Sequence, residues 1–597
     1  MCRIAGLINT EMSIDCVTAM VTEMCRLQLH GGPDDGGIYI NAENNLVLGH
    51  RRLSLIDLSA AGHQPMFYKN NRYIITYNGE LYNYIELKNT LIKKGCVFNT
   101  SSDTEVILAA FATWNTDCFE KFNGMFAFAL LDTLTNQLYL VRDAIGIKPL
   151  YFAHTANGLA FASEVRAFAP VPYIQTAHPH WPVFMMAYGH LPEPITTLKE
   201  VKPLKKGTFL NYDIKTRECK HVTYTNFSYI EQIDDRDTAI ELIQQTLSAA
   251  VKRHLISDAP IGVFLSGGLD SSILAALANK QDPTLKTVSL IFDEDKYSEK
   301  EFQDLMQKKL HGEQYQQVLK EDSFHAGFPE IVRSMDLPSC DGINTWFISQ
   351  LAKNSGLKAV LSGIGGDEFF GGYPSFSRIS TTLQIQKLPN AVLRSGTSTN
   401  SKKLRRLCYL TIPGPIGIFL FLRGQFIPNE IAAYLNIEEA EVWKILESAP
   451  QLPAIAHLTD KNQASWIESN LYMQNQLLRD ADVMSMAHGV EIRLPFLDAA
   501  FVKLSLQISS KTKYAGAFKK QLLIDSFKNI LPEAVWNRPK MGFTFPFKEW
   551  LGRDQYADCL TGTKMGDYHK KFVSGNMHWA QFLTIFLMEN KSNAAKG

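Results

Sequence analysis

Near residue 236 the hydrophobic pattern of this 597-residue chain changes, and that change constrains the fold more than any other feature. Before it, apolar residues come in short β-like runs: Leu46–Leu48, Tyr73–Tyr77, Phe126–Leu131 and Gln137–Val141. Turn signals such as Asn123-Gly124 and the cluster Gly31–Asp35 separate them. Only Thr104–Trp114 shows helical spacing here, so this stretch predicts stacked sheets. After the change, strands and helices alternate. Asp237–His254 places Ile240, Ile243, Leu247, Ala250 and Val251 on one helical face. An apolar strand, Ile261–Leu265, leads through a glycine-rich turn into an amphipathic helix over Ser271–Asn279. A strand Thr287–Phe292, a helix over Ser298–Leu310 and a strand Ala359–Leu361 follow. Such alternation predicts a doubly wound parallel sheet. The remainder reads as mostly helical, with the polar, basic stretch Ser395–Arg406 expected as a surface loop. Two units are expected, 2–213 and 236–597, with their boundary in the charged segment Lys215–Arg236.

Composition narrows the class. Charged residues make up 20% and hydrophobic residues 46%, which excludes disordered and fibrous chains. Sixty basic and sixty acidic residues cancel, so nothing in the charge calls for nucleic acid or an anionic membrane as partner. Nine cysteines without a CxxC pair suggest neither a disulfide scaffold nor a zinc site. The longest apolar run, Ile416–Leu422, is far shorter than the ~20 residues of a membrane span. The N-terminus soon meets Asn9, Thr10 and Glu11, so no secretory apolar region forms. A cytoplasmic location is expected.

Chemistry enters at Cys2. If Met1 is removed, the thiol of Cys2 lies beside its own α-amine. A free amine of pKa about 7.7–8.0 is a suitable base for a thiol of about 8.5. Taken alone, a cysteine near a terminus is more often an accident. Further along stand the parts an amide-attacking thiol needs. Asn78-Gly79 can donate to a tetrahedral oxyanion, Arg52 offers a fork for a carboxylate, and Glu80 and Asp103 can pair with an ammonium. A thiol with a clamp for both ends of a zwitterion suits glutamine hydrolysis.

In the second unit, Ser266-Gly-Gly-Leu-Asp-Ser-Ser272 sits between an apolar strand and a helix. Backbone N–H groups of such a turn, with a helix N-terminus behind it, form an anion cradle. No GxxxxGK[ST] is present, so this is not a Walker A loop. Strand–SGGxDS–helix instead resembles the loop of the pyrophosphatase-loop enzymes, which split ATP between its α- and β-phosphates. Asp270 in this loop and Asp367 in Ser362-Gly-Ile-Gly-Gly-Asp-Glu368 are the acids expected to hold Mg²⁺ with ATP.

The order of these strings resembles the glutamine-dependent asparagine synthetases over nearly the whole chain. It runs Met1–Gly6, Gly32–Asp35, Arg52–Ser54, Gly62–Met66, Asn78–Glu80, Ser102–Glu105 and Asn123–Phe128, then Asp341–Thr345, Met484–Ala487, Glu491–Asp498 and Arg538–Phe543. The resemblance implies an N-terminal nucleophile hydrolase unit of stacked antiparallel sheets, a class II glutamine amidotransferase. An α/β ATP-pyrophosphatase unit with a helical C-terminal region would follow it. It implies Cys2 as nucleophile and Asn78 and Gly79 as oxyanion hole. Glutamine would be held by Arg52, Leu53, Ser54, Leu55, Ile56, Asn78, Gly79, Glu80 and Asp103. It implies ATP contacts at Leu265, Ser266, Gly267, Gly268, Asp270, Ser271, Leu290, Ser362 and Gly363, and assigns Lys520 to the phosphates. The substrates implied are glutamine, ATP and aspartate or another carboxylate, and a homodimer is one assembly it allows.

Three departures stand out. The family usually reads His-Arg-Gly-Pro-Asp where this chain has His30-Gly-Gly-Pro-Asp34, and Ala144 replaces an Arg that is common there. The best-known members carry Glu where this chain has Ile364, which cannot accept a proton from ammonia. Glu368 or Asp482, or solvent, would then take that proton. The alternatives are a ligase of the same architecture acting on a sugar acid, peptide or natural product, a partner-binding relative without activity, and an RNA-modifying enzyme that adenylates a base. The intact site residues oppose the second, and the neutral charge opposes the third.

Overall fold

The structure, a computed structural model, describes residues 2–294, 296–396, 401–449, 452–539, 541, 545–552 and 564–594. The strands, in chain order, are β1 (Arg3–Asn9), β2 (Asp35–Asn41), β3 (Leu46–Arg52), β4 (Met66–Tyr68), β5 (Tyr73–Leu81), β6 (Gly124–Asp132), β7 (Gln137–Arg142), β8 (Tyr151–Thr155) and β9 (Gly158–Ala162). They continue with β10 (Lys202–Pro203), β11 (Thr208–Asp213), β12 (Cys219–Thr223), β13 (Ile261–Phe264), β14 (Lys286–Phe292), β15 (Gln314–Leu319), β16 (Ala359–Leu361) and β17 (Glu491–Arg493).

The first twelve strands build two antiparallel sheets, ordered β10-β8-β9-β1-β3-β2 and β12-β11-β7-β6-β5-β4. Alternation along each strand makes four layers. Ile4 and Ile8 of β1, Leu46 and Leu48 of β3, Ile74 of β5 and Ala127, Ala129 and Leu131 of β6 meet between the sheets. Ala5 and Leu7 face outward under the helix Ile14–Leu27, against its Val17, Val21 and Met24. On the far side Tyr73, Ile75, Tyr77, Phe126 and Phe128 pack against the helix Asp103–Trp114. The expected stacked sheets are therefore present, each covered by a helix. The helix Ile14–Leu27 is an addition to the sequence reading, although its buried residues keep helical spacing. The hairpin partner β12 pairs with β11 along Thr208–Thr223 and Tyr212–Cys219, so the sheet runs past the expected end at 213. Its exposed, polar sequence carries no inward-facing pattern to read.

The second unit holds a parallel sheet ordered β15-β14-β13-β16-β17. Strand order reverses direction between β13 and β16, and the carboxyl ends there form the usual crevice of a doubly wound sheet. Helices Arg236–His254, Leu269–Gln281 and Ile343–Asn354 cover it. The sequence bounds differ by a few residues, as helix ends commonly do. Ser395–Arg406 corrects one expectation: a short helix, Lys402–Arg405, lies within it rather than a loop. Residues 397–400 are outside the described residues. No helix among the described residues is long and apolar enough to cross a membrane.

The two units share a core. Leu53, Leu55, Tyr82, Met125, Ile145 and Ile147 of the first pack with Val263, Leu361, Phe496 and other apolar residues of the second.

Candidate active site

Cys2 lies at the head of β1, and β1 pairs with β3 through Arg3–Arg51. The facing sheet comes close here: His50 Nε2 lies 3.1 Å from the Tyr77 carbonyl, and Thr76 Oγ1 donates to the Gly49 carbonyl at 3.0 Å. Those contacts bring the end of β5, with Asn78, Gly79 and Glu80, to the side of the sheet where Cys2 lies. The Cys2 thiol is buried and faces the Leu53 carbonyl at 3.9 Å. Burial pushes it up to about 11, with Arg52 pulling the other way and Glu80 adding to the rise. A thiol held so needs a base. Met1, whose removal would supply an amine, lies outside the described residues.

Asn78 is fully buried, and neither its amide nitrogen nor its oxygen has a hydrogen-bond partner among the described residues. Gly79 is required by close approach, since a Cβ there would stand 2.2 Å from the Met125 carbonyl oxygen on β6. The loop Leu53–Ser59 curls around the Arg52 guanidinium, whose Nη1 donates to the Ser59 carbonyl at 3.0 Å and whose Nη2 donates to the Ile56 and Asp57 carbonyls. Gly62 makes room for that group; a methyl there would overlap Nη2. Carbonyls orient the fork without neutralising it, so its charge remains for a carboxylate. Ser54 is fixed by its N–H to Asp34 Oδ2 at 2.8 Å, and the Leu55 carbonyl accepts from Asp258 N–H at 2.8 Å in the second unit. Asp103 Oδ2 accepts from Tyr77 Oη and from the Leu81 N–H, both at 2.9 Å, and burial pushes its carboxyl up to about 6. Burial also raises Glu80, which sits 3.4 Å from Arg493.

The second centre forms at the ends of β13 and β16. Gly267 adopts φ 83°, a left-handed turn open to glycine, and its carbonyl accepts from Arg538 Nη2 at 3.0 Å. Ser271 Oγ meets Ser266 Oγ at 3.0 Å and closes the loop on the first turn of Leu269–Gln281. Lys520 Nζ bridges two acids, 2.6 Å from Asp270 Oδ2 and 2.5 Å from Asp367 Oδ1. Burial opposes its charge, but the two carboxylates outweigh that and hold the ammonium above the usual lysine range. Glycines let the acids converge: a Cβ at Gly363 would lie 2.9 Å from Asp270 Cβ, and one at Gly366 would lie 2.7 Å from its carboxylate oxygens.

A cavity of about 1050 Å³ opens beside these groups. Leu265, Ser266, Gly268, Asp270, Ser271, Leu290, Ser362, Gly363, Asp367 and Lys520 all line it. Gly267 does not; it turns its backbone toward Arg538 and Glu299 instead. Arg538, which also donates to Glu299 at 2.6 Å, lines the cavity too, a place that its string Arg538–Phe543 does not reveal. Its neighbours Lys540, Gly542 and Phe543 lie outside the described residues. Among the described residues no cluster of three or more His, Cys, Asp or Glu side chains suits a metal. Two carboxylates of hard oxygen donors fit Mg²⁺ that keeps most of its shell as phosphate and water.

The departures resolve structurally. Ile364 lines the cavity, as do Glu368, Asp341 and Asp480. Glu368 accepts from Tyr373 Oη at 2.7 Å, and burial beside Asp367 pushes it up to about 7. Asp482, the other acid considered for the ammonia proton, does not reach the cavity: it lies 2.9 Å from Arg3 and 3.4 Å from Lys148. Ala144 leaves its loop intact, because Asp143 gathers the N–H groups of Ile145, Gly146, Ile147 and Lys148.

Comparison with known proteins adds to this geometry. The asparagine synthase family model matches residues 242–569, and the glutamine amidotransferase domain model matches residues 1–225. Glutamine-hydrolyzing asparagine synthetase 1 of Bacillus subtilis (strain 168) is 30% identical over 569 residues, 92% of this chain and 88% of that protein. A putative asparagine synthetase of Mycobacterium tuberculosis (strain ATCC 25618 / H37Rv) is 31% identical over 91% of this chain and 86% of its own length. Asparagine synthetase B of Escherichia coli (strain K12) is 28% identical, covering 91% and 82%.

Proposed function

The chain belongs to the glutamine-hydrolysing asparagine synthetase family, and from that premise we propose that it makes asparagine from aspartate, using glutamine as nitrogen donor and ATP as activator. The Cys2 α-amine, freed by loss of Met1, takes the thiol proton. The sulfur attacks the glutamine side-chain amide. Asn78 and the Gly79 N–H hold the oxyanion, while Arg52 holds the carboxylate and Glu80 and Asp103 the ammonium. Ammonia leaves, and water then frees glutamate from the thioester.

In the second centre the aspartate side-chain carboxylate attacks the α-phosphate of ATP, and pyrophosphate departs into the Ser266–Ser272 loop. Asp270 and Asp367 would hold Mg²⁺ with ATP, which supplies charge neutralisation on the phosphates. Lys520 stabilises the same charge from the protein side. Ammonia attacks the acyl-adenylate and releases AMP with the amide. With Ile364 unable to accept the proton, Glu368, which lines the cavity and is pushed up to about 7 by burial beside Asp367, would take it.

The observation that carries this reading is the Lys520 bridge, which gathers Asp270 and Asp367 from two strand-end loops at the mouth of a nucleotide-sized cavity. The test is AMP formation across a panel of acids, namely aspartate, sugar acids and peptides, with glutamine and with ammonium. Aspartate is expected to give the most AMP. AMP from another acid and none from aspartate would make the chain a ligase of the same architecture with a different acceptor.

A further inference from the structure

Between the two centres runs a seam of buried charge with no part assigned in either reaction. Arg3 directly follows the nucleophile, and its side chain is fully buried. Its Nε donates to Glu164 Oε1 at 2.7 Å, and its Nη1 stands 2.9 Å from Asp482 Oδ2. Room for it exists because residue 31 has no side chain: a Cβ at Gly31 would lie 2.7 Å from Arg3 Cγ and 2.8 Å from its Nε. The missing arginine in the His30–Asp34 string and the guanidinium of Arg3 thus concern one volume.

Asp482 belongs to the helix Leu478–Met486 in the second unit. On that helix Asp480 lines the ATP cavity, as does Leu477 just before it. Positions 480 and 482 lie about 200° apart around a helix, so opposite sides face the two centres. One wall therefore carries the nucleophile's neighbour on one side and the cavity on the other. A buried ion pair resists separation, because drawing its partners apart gives up an attraction that a low-dielectric interior strengthens. A shift of this helix would be felt at the backbone of residue 2.

We propose that Arg3 is a positioning residue that couples the thiol centre to the synthetase centre through its ion pair with Asp482, so that glutamine hydrolysis keeps step with adenylation. This rests on the two-centre reading above. Arg3→Met fills the same volume and leaves neither acid isolated. Glu164 keeps His30 at 2.9 Å and Arg166 at 3.0 Å, and Asp482 keeps Lys148.

The experiment measures glutamate and AMP in one reaction, with glutamine, ATP and the acid giving most AMP in the panel, for wild type, Arg3→Met, Asp482→Asn and the double variant. AMP with ammonium replacing glutamine is measured in parallel. The glutamate-to-AMP ratio is expected to rise about 2- to 30-fold in each single variant, the usual span for residues that carry coupling. The double variant should exceed neither single one, and ammonium-driven AMP should stay at the wild-type level. A wild-type ratio in Arg3→Met overturns the proposal. So does a parallel fall in both activities at unchanged ratio, which would mark a structural role alone. Wild type that forms no AMP from any acid with either nitrogen source would instead remove the two-centre reading itself, and the proposal with it.

Discussion

Asn78 has both polar atoms of its amide buried and without partners among the described residues. Leaving such groups unsatisfied costs about 1–3 kcal/mol each, so the free amide needs a reason. An oxyanion that forms only during the reaction supplies one. Asn78→Ala is expected to lower kcat for glutamate release by about 10²–10³ with little change in KM, and to spare ammonium-driven AMP formation. An unchanged kcat would take Asn78 out of the oxyanion hole. Asp103 gives a pH signature. Its carboxyl is raised to about 6, so it is neutral below that pH and negative above it. A glutamine ammonium needs the negative form, so kcat/KM for glutamate release should climb as pH rises through about 6 and fall on the acid side. A profile with no limb near that value would remove Asp103 from the clamp. At this scale the order of motifs singles out Cys2, Asn78 and Asp103 as candidates, and the family resemblance alone singles out Lys520; the structure places Lys520 between Asp270 and Asp367. Arg3 was not legible in the sequence: an arginine near a terminus reads as solvated, and only the fold reveals that it is buried against Asp482.

At the scale of elements, the proposed ATP chemistry falls to the loops at the ends of β13 and β16. Gly366 starts the short helix that presents Asp367, and its missing Cβ leaves space for the Asp270 carboxylate. Gly366→Ala should push that carboxylate aside and cut AMP formation with either nitrogen source by about 10²-fold, since an ångström of misplacement has that effect. Glutamate release without ATP should persist. Full AMP formation by the variant would show that Asp270 need not stand where it does. Losing a carboxylate outright, in Asp270→Asn or Asp367→Asn, should likewise stop adenylation with both nitrogen sources, read as AMP release. The alternating pattern made β13, β14 and β16 readable. It did not reveal β15, whose Gln314-Tyr-Gln-Gln-Val-Leu319 lies at the sheet edge and is too polar to stand out. Nor did it reveal β17, Glu491-Ile-Arg493, whose one apolar residue stands between two charged ones and forms no apolar run like Ala359–Leu361 of β16.

At the scale of the molecule, the two units meet through a shared apolar core and buried charge. Leu53 and Leu55 enter the second unit's core, Asp34 pairs with Lys358 at 2.7 Å, and Arg493 lies between Glu80 and Glu491. Neither the joint core nor these pairs had a sequence signal, because each half looks like a surface until the other is present. On the proposed reading, the source of ammonia and its point of use lie in different units. Neutral ammonia is the reactive form, so that reading calls for a water-excluding passage between them. The most direct measurement is AMP formation by Cys2→Ala with glutamine and with ammonium, beside the wild type. Glutamine-driven AMP should vanish while ammonium-driven AMP stays near the wild-type rate. Equal loss with both nitrogen sources would contradict two separate centres.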